Sequence, residues 1–153
     1  MVTRRRQPDD GPDPEDAARR QAGFVHRVRA RFAETDAMGV VHHAAYLPYL
    51  EEARVAYLRS RGHPYEEVRA TGVDLAVLEC RVRYRRPVRF DEEVDVMLWP
   101  GGLRRASFEL TYRLEVGGEV RASASTVHGA VDVRGRPTRL PPWLASVLRE
   151  DGS

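Results

Sequence analysis

Four side chains able to carry acid–base or nucleophilic chemistry fall within 16 residues: Asp36, His42, His43 and Glu51. They belong to the run FAETDAMGVVHHAAYLPYLEEARVAYLRSRG, residues 32–62. Residues 36–39 have the composition of a turn, and a long helix is expected to follow. The first N–H groups of a helix have no intrahelical partner, and its macrodipole favours negative charge there. A carbonyl oxygen held at that end would be stabilised as it becomes an oxyanion. A carboxylate a few residues upstream would then face the carbonyl carbon. The outline is acyl transfer, with Asp36 either attacking that carbon or activating a water. An aspartate before a helix also serves as a turn or cap residue on its own account.

The two histidines are adjacent, and adjacent residues on a helix diverge by about 100°, so they do not share one metal ion. No other His or Cys stands at ligand spacing, and no metal is expected. His43 is the better candidate to face a pocket, against helix-start packing as the alternative. His26, His63 and His128 have no partner identifiable in the sequence. Glu51 lies eight residues after His43, about two turns along the same face. A glutamate on an apolar helix is costly unless paired. It is either a catalytic or water-positioning residue or the partner of Arg54 at i+3.

These groups must be positioned by the helix and by what covers it. Tyr46, Leu50, Ala53 and Tyr57 share one face. Leu47 and Leu58 are expected to widen that stripe, and Val55 and Ala56 extend the apolar surface. A helix this apolar is expected to be buried, wrapped by a sheet. Gly62 stands where a C′ glycine would stop it, with Arg59 and Arg61 in the last turn and Pro64 beyond. Before the loop, residues 24–32 alternate as a half-buried strand, with Val28, Ala30 and Phe32 on one side. Residues 63–72 read as a connector with a helical turn at 66–70. Thereafter the period is two. Strands are expected at 73–84, 93–99, 106–116 and 119–133, with turns at 100–102 and 117–118. Pro87 implies an edge or bend, and a short helix closes the chain at 143–149. The class is α+β, a curled antiparallel sheet of about five strands around one long central helix. Such a sheet leaves open edges, so at least a dimer is expected.

With 153 residues, the chain suits one domain and can bury roughly 70% of its unfolded surface. A net charge of +2 does not announce a nucleic-acid partner. All 25 basic residues are arginine, a side chain suited to bidentate phosphate binding. The lone Cys80 cannot form an internal disulfide, and its alternating surroundings predict a buried, inert thiol. No run of about 18 apolar residues offers a membrane span, and the N-terminus lacks the apolar stretch of a signal peptide. A cytoplasmic protein is expected. Residues 1–23 balance five arginines against five acids with almost no large apolar side chain, and are expected as a disordered tail. Residues 24–149 then form the single domain.

The run Val28-Arg-Ala-Arg-Phe-Ala-Glu-Thr-Asp36, with Gly39-Val-Val-His-His43, Tyr46 and Glu51-Glu-Ala-Arg54, resembles a known family: the hotdog-fold acyl-CoA thioesterases, in the 4-hydroxybenzoyl-CoA thioesterase branch. Weaker resemblance continues through 82–90, 102–112 and 131–141. The resemblance implies a hotdog fold, a dimer or tetramer, and hydrolysis of an acyl thioester. It places the catalytic carboxylate at Asp36. At His43 it places the helix N-terminal residue whose backbone N–H meets the thioester oxygen. Gly39 matches the glycine of the tight loop, and Glu51 an acidic helix position whose role varies. Many relatives have Asn before the tyrosine, where this chain has Ala45. Substrate contacts are expected from Gly39, Val41, His42, Tyr46, Arg85, Arg104 and Arg105. Of the clustered arginines, Arg104 and Arg105 are the first choice for the phosphates of coenzyme A. No cofactor is expected beyond the coenzyme A that forms part of the substrate.

Other classes fit the same residues. The thioester could be carried by an acyl carrier protein, whose acidic helix would meet the arginine clusters. The same fold could bind acyl-CoA without turnover. A hydratase or dehydratase would need His43 and Glu51 arranged for C–H proton transfer.

Overall fold

The computed structural model describes residues 23–152. Except for Gly23, the expected tail at 1–23 lies outside the described residues. The chain begins with strand β1 (Phe24–Arg29) and passes through a 3₁₀ turn at Phe32–Glu34 and another at His43–Ala45 into helix α1 (Tyr46–Ser60). A short helix α2 (Tyr65–Ala70) leads to strands β2 (Asp74–Tyr84), β3 (Glu93–Gly101), β4 (Ser107–Val116) and β5 (Glu119–Val131), and helix α3 (Pro142–Gly152) closes the chain.

The strands form one antiparallel sheet in the order β1-β3-β4-β5-β2. The sheet curls over α1 as expected, and β2 crosses to the far edge to pair with β5. Register aligns apolar residues on one face, as in Val28↔Val94, Val96↔Leu114 and Tyr112↔Ala124. Against this face α1 turns Tyr46, Tyr49, Leu50, Ala53, Tyr57 and Leu58, all buried. Each large side chain so buried contributes about 1.5–3 kcal/mol. Bulges at Val77/Glu79 and Leu114/Glu115 increase local twist.

Several local expectations are corrected. Leu47 is 44% exposed, and Tyr49 takes its place in the core because the sheet covers the other side of α1. β1 ends at Arg29, and Phe32 stands outside it, 77% exposed and edge-on to Phe90 at 5.8 Å. β3 runs on through Pro100 and Gly101, which pair with Leu110 and Glu109. β5 stops at Val131 because Asp132–Gly135 forms a turn closed by the Gly135 N–H. Cys80 is exposed rather than buried: it lies on β2, which pairs only with β5 and is an edge of the sheet. Gly62 does end α1 with φ of +83°. α3 is longer than expected, burying Leu144, Val147 and Leu148 and receiving the Tyr57 hydroxyl on Asp151 at 2.5 Å.

Candidate active site

Between β1 and α1 the chain makes a tight reversal. Thr35 bridges Val41, the Asp36 N–H donates to the Val40 carbonyl at 2.9 Å, and the Gly39 N–H donates to the Asp36 carbonyl at 3.0 Å. Gly39 sits at φ +75°, a left-handed conformation that favours glycine. The Asp36 Oδ1 accepts the Met38 N–H at 2.8 Å and, at longer range, the Val40 N–H at 3.4 Å. The aspartate therefore does cap its own turn. Its other oxygen takes no hydrogen bond among the described residues, and the side chain is exposed.

Four hydrogen bonds fix this reversal. The Val41 N–H donates to Val88 O at 2.7 Å, and the His42 N–H to Glu34 O at 2.8 Å. The Glu34 carboxylate accepts the Arg31 N–H at 2.7 Å and the Tyr49 hydroxyl at 2.8 Å. Burial pushes the Glu34 carboxyl up, but these donors and the Arg31 guanidinium outweigh it and hold the group below its ordinary pKa. Glu34 thus ties the loop to the buried face of α1.

The helix start is arranged with equal definition. His42 is a cap: its Nδ1 accepts the Ala44 N–H at 3.1 Å. The His43 N–H has no hydrogen-bond partner among the described residues, and the His43 carbonyl accepts the Tyr84 hydroxyl at 2.8 Å. Tyr84 in turn packs edge-on against Tyr46, with ring centres 4.9 Å apart. Behind it, the Arg121 carbonyl accepts the N–H groups of Arg85 and Arg86, at 2.9 and 3.1 Å. The Arg121 guanidinium reaches Pro87 O at 2.6 Å and pairs with Glu92.

Asp36, Val41, His43, Tyr46, Tyr84, Arg85, Arg86 and Pro87 consequently line one open cleft of about 340 Å³. Five of the residues singled out from sequence meet there: Asp36, Val41, His43, Tyr46 and Arg85. Gly39 and His42 shape the turn and the helix start rather than lining the cleft. Glu51 lies elsewhere, on a second and smaller cavity of about 110 Å³, and no ion pair joins it to Arg54 among the described residues. Arg104 and Arg105 stand in the β3–β4 loop, where the Arg104 N–H donates to Ser107 O and the Arg105 carbonyl accepts the Leu140 N–H. That loop is at the other end of the sheet: on β5, Gly129 pairs with Ser107 and Ala122 with Tyr84. Seven residues of strand separate them, roughly 23 Å. Tyr84, Glu34 and Arg121 were missed. The alternation of Val82 and Tyr84 was the available signal for Tyr84; Glu34 and Arg121 act through contacts distant in sequence.

The family described as the thioesterase-like superfamily matches residues 30–148. A protein of Aquifex aeolicus is 35% identical over 127 residues, covering 83% of this chain and 98% of the relative. The acyl-CoA thioester hydrolase YbgC of Escherichia coli is 32% identical over 91 residues, 60% of this chain and 68% of that protein. A solved structure from Thermus thermophilus superposes with a TM-score of 0.78 at 40% identity, covering 82% of this chain and 97% of the other.

Proposed function

The chain belongs to the thioesterase-like superfamily, and from that premise we propose that it hydrolyses acyl-CoA thioesters at the Asp36 cleft, releasing a free acid and coenzyme A. One observation carries the placement: a carboxylate with an uncommitted oxygen and a helix-start N–H without a partner share one cleft. The thioester oxygen accepts the His43 N–H, which stabilises the charge that develops as the carbon becomes tetrahedral. Asp36 delivers the nucleophile, either its own oxygen, giving an anhydride that water then opens, or a water whose proton it takes. Coenzyme A thiolate leaves and is protonated. Arg85 and Arg86, at the cleft mouth, suit the phosphates of the nucleotide. No group beyond the substrate's own coenzyme A is needed for this step.

We further read residues 24–149 as one domain of the 4-hydroxybenzoyl-CoA thioesterase branch, on the strength of the run from Asp36 through Gly39 and His43 to Tyr46. Glu51, Arg104 and Arg105 lie away from the cleft of their own chain; as site residues they would act across a subunit boundary in a homo-oligomer. No helix of the described residues is long and apolar enough to cross a membrane, and a cytoplasmic location agrees with that. The test is thiol release from acyl-CoAs spanning acetyl to palmitoyl, with benzoyl and phenylacetyl, and from a carrier-loaded acyl group. Asp36→Ala is expected to lower kcat by about 10²–10⁴-fold. Asp36→Asn retains an acceptor for the Met38 N–H yet lacks the carboxylate, and should be equally impaired. Full activity in the Asn variant would reduce Asp36 to a turn residue.

A further inference from the structure

A second cavity lies beneath α1, walled by Phe108, Leu110, Leu75 and Val77 and by residues of α3, with Arg54 and His128 among its lining. Its volume of about 110 Å³ is of the order of an engineered cavity that admits benzene, about 150 Å³. Two observations set it apart from a packing gap. Arg54 is half-buried and forms no ion pair among the described residues, with the exposed Glu51 carboxylate three residues before it on the same cavity. Among the described residues its guanidinium makes one long donation, to the Tyr112 hydroxyl at 3.4 Å. His128 is 2% exposed, stacked on Phe108 with ring centres 5.1 Å apart, and bonded to Thr126 Oγ1 only through Nε2, at 2.8 Å.

One of the two possible directions along this chain runs from Arg54 to His128. Arg54 can only donate to Tyr112. The Tyr112 hydroxyl then donates to Thr126 Oγ1, 2.8 Å away, and Thr126 donates to His128 Nε2. This arrangement uses every hydroxyl hydrogen once. It leaves the ring proton of His128 on Nδ1, which has no acceptor among the described residues. Burial, aided by the Arg54 charge, pushes the His128 pKa down to about 4, so the ring is neutral at ordinary pH. In that arrangement the cavity presents two donors, Nδ1–H of His128 and the spare N–H groups of Arg54, with the exposed Glu51 carboxylate and the Tyr65 ring also in its lining.

The cavity also lies in line with the Asp36 cleft. Along β2, Tyr84 lines the cleft while Val77 and Leu75 line the cavity, and Val82 lies between them, packed against the core. Along α1, Tyr46 lines the cleft and Arg54 the cavity, eight residues or about 12 Å apart.

We propose that this cavity receives the far end of the acyl group, and that the preferred acyl groups carry an oxygen there, which accepts hydrogen bonds from Arg54 and His128. The inference rests on the thioester reading of the Asp36 cleft. It is tested with matched pairs: decanoyl-CoA against 10-hydroxydecanoyl-CoA, and 4-phenylbutyryl-CoA against its para-hydroxy analogue. In the wild type, kcat/KM for the oxygenated member should exceed that of its partner by at least about tenfold, carried mainly by KM. In Arg54→Met that ratio should fall to near one. Turnover of both members of each pair at equal efficiency by the wild type overturns the proposal while the thioesterase reading stands, and needs no variant. If no member of either pair is hydrolysed, the thioesterase reading fails for these acyl groups. The cavity is then judged by calorimetry with the free acids. Tighter binding of 10-hydroxydecanoate than decanoate, lost in Arg54→Met, upholds it; equal binding or none overturns it.

Discussion

At the scale of single residues, Asp36 divides its labour: Oδ1 holds the turn, and the other oxygen is left for chemistry. Gly39 makes this possible. A methyl group added there would meet no atom within 4 Å, so the cost of Gly39→Ala is that of the left-handed backbone alone, at φ +75°, about 1–2 kcal/mol. The expected outcome is a Tm lower by several degrees with kcat reduced, since relief of the strain would break the Gly39 bond to the Asp36 carbonyl. An unchanged kcat in a variant that still unfolds earlier would show that this turn does not aim the carboxylate. Asp36, Gly39 and His43 were legible in the sequence because turn, cap and helix start are local devices. Tyr84 was not, because sheet pairing brings it to the His43 carbonyl from 41 positions away. The preference for Arg104 and Arg105 failed to anticipate the cleft for the same reason: a glycine-flanked turn is visible in sequence, but not the end of the sheet at which it emerges.

At the scale of elements, the apolar stripe of α1 was readable from its spacing, and the change of period to two located all four later strands. Their neighbours were not readable, because alternation says which face is buried and nothing about which strand lies alongside. β2 follows α1 in the chain yet pairs with β5 at the far edge. The buried chain from Arg54 on α1 through Tyr112 on β4 to Thr126 and His128 on β5 is likewise a product of register, and His128 showed no partner in the sequence. It has a consequence for stability. The folded His128 pKa is down from 6.5 to about 4, so above pH 6.5 the ring is neutral whether the chain is folded or not, and its contribution is complete. As the pH falls, the unfolded chain takes the proton first, and stability is lost between about 6.5 and about 4. The full loss is roughly 3 kcal/mol. Urea denaturation at pH 7 and pH 4.5 should register most of it. His128→Gln should flatten that part of the curve, leaving the loss at lower pH from carboxylates such as Glu34 and Glu92, whose pKa values are lowered in the fold. A wild-type stability unchanged between those pH values would mean that the ring is not held neutral.

At the scale of the whole molecule, β2 is the feature that asks for company. It is an edge of the sheet, and it carries Val77 and Leu78 at 51% and 62% exposure, with Tyr84 at 48% and Cys80 also exposed. An uncovered edge with such side chains invites pairing with another chain. This strand also lines both pockets, the cleft through Tyr84 and the second cavity through Leu75 and Val77. A second copy docked at β2 would therefore close the mouths of both, exclude water from the thioester, and cover the thiol of Cys80. The expected mass in solution, by light scattering, is a multiple of 17.4 kDa. Leu78→Lys places a charge on the edge at a bulge, away from the residues that line either pocket. It should shift the mass toward the single chain and lower hydrolysis in step with dissociation, while the rate of Cys80 alkylation rises. A wild-type protein that runs as a single chain at full activity would show that the cleft is complete within one chain, and that the apolar side chains on β2 have another use.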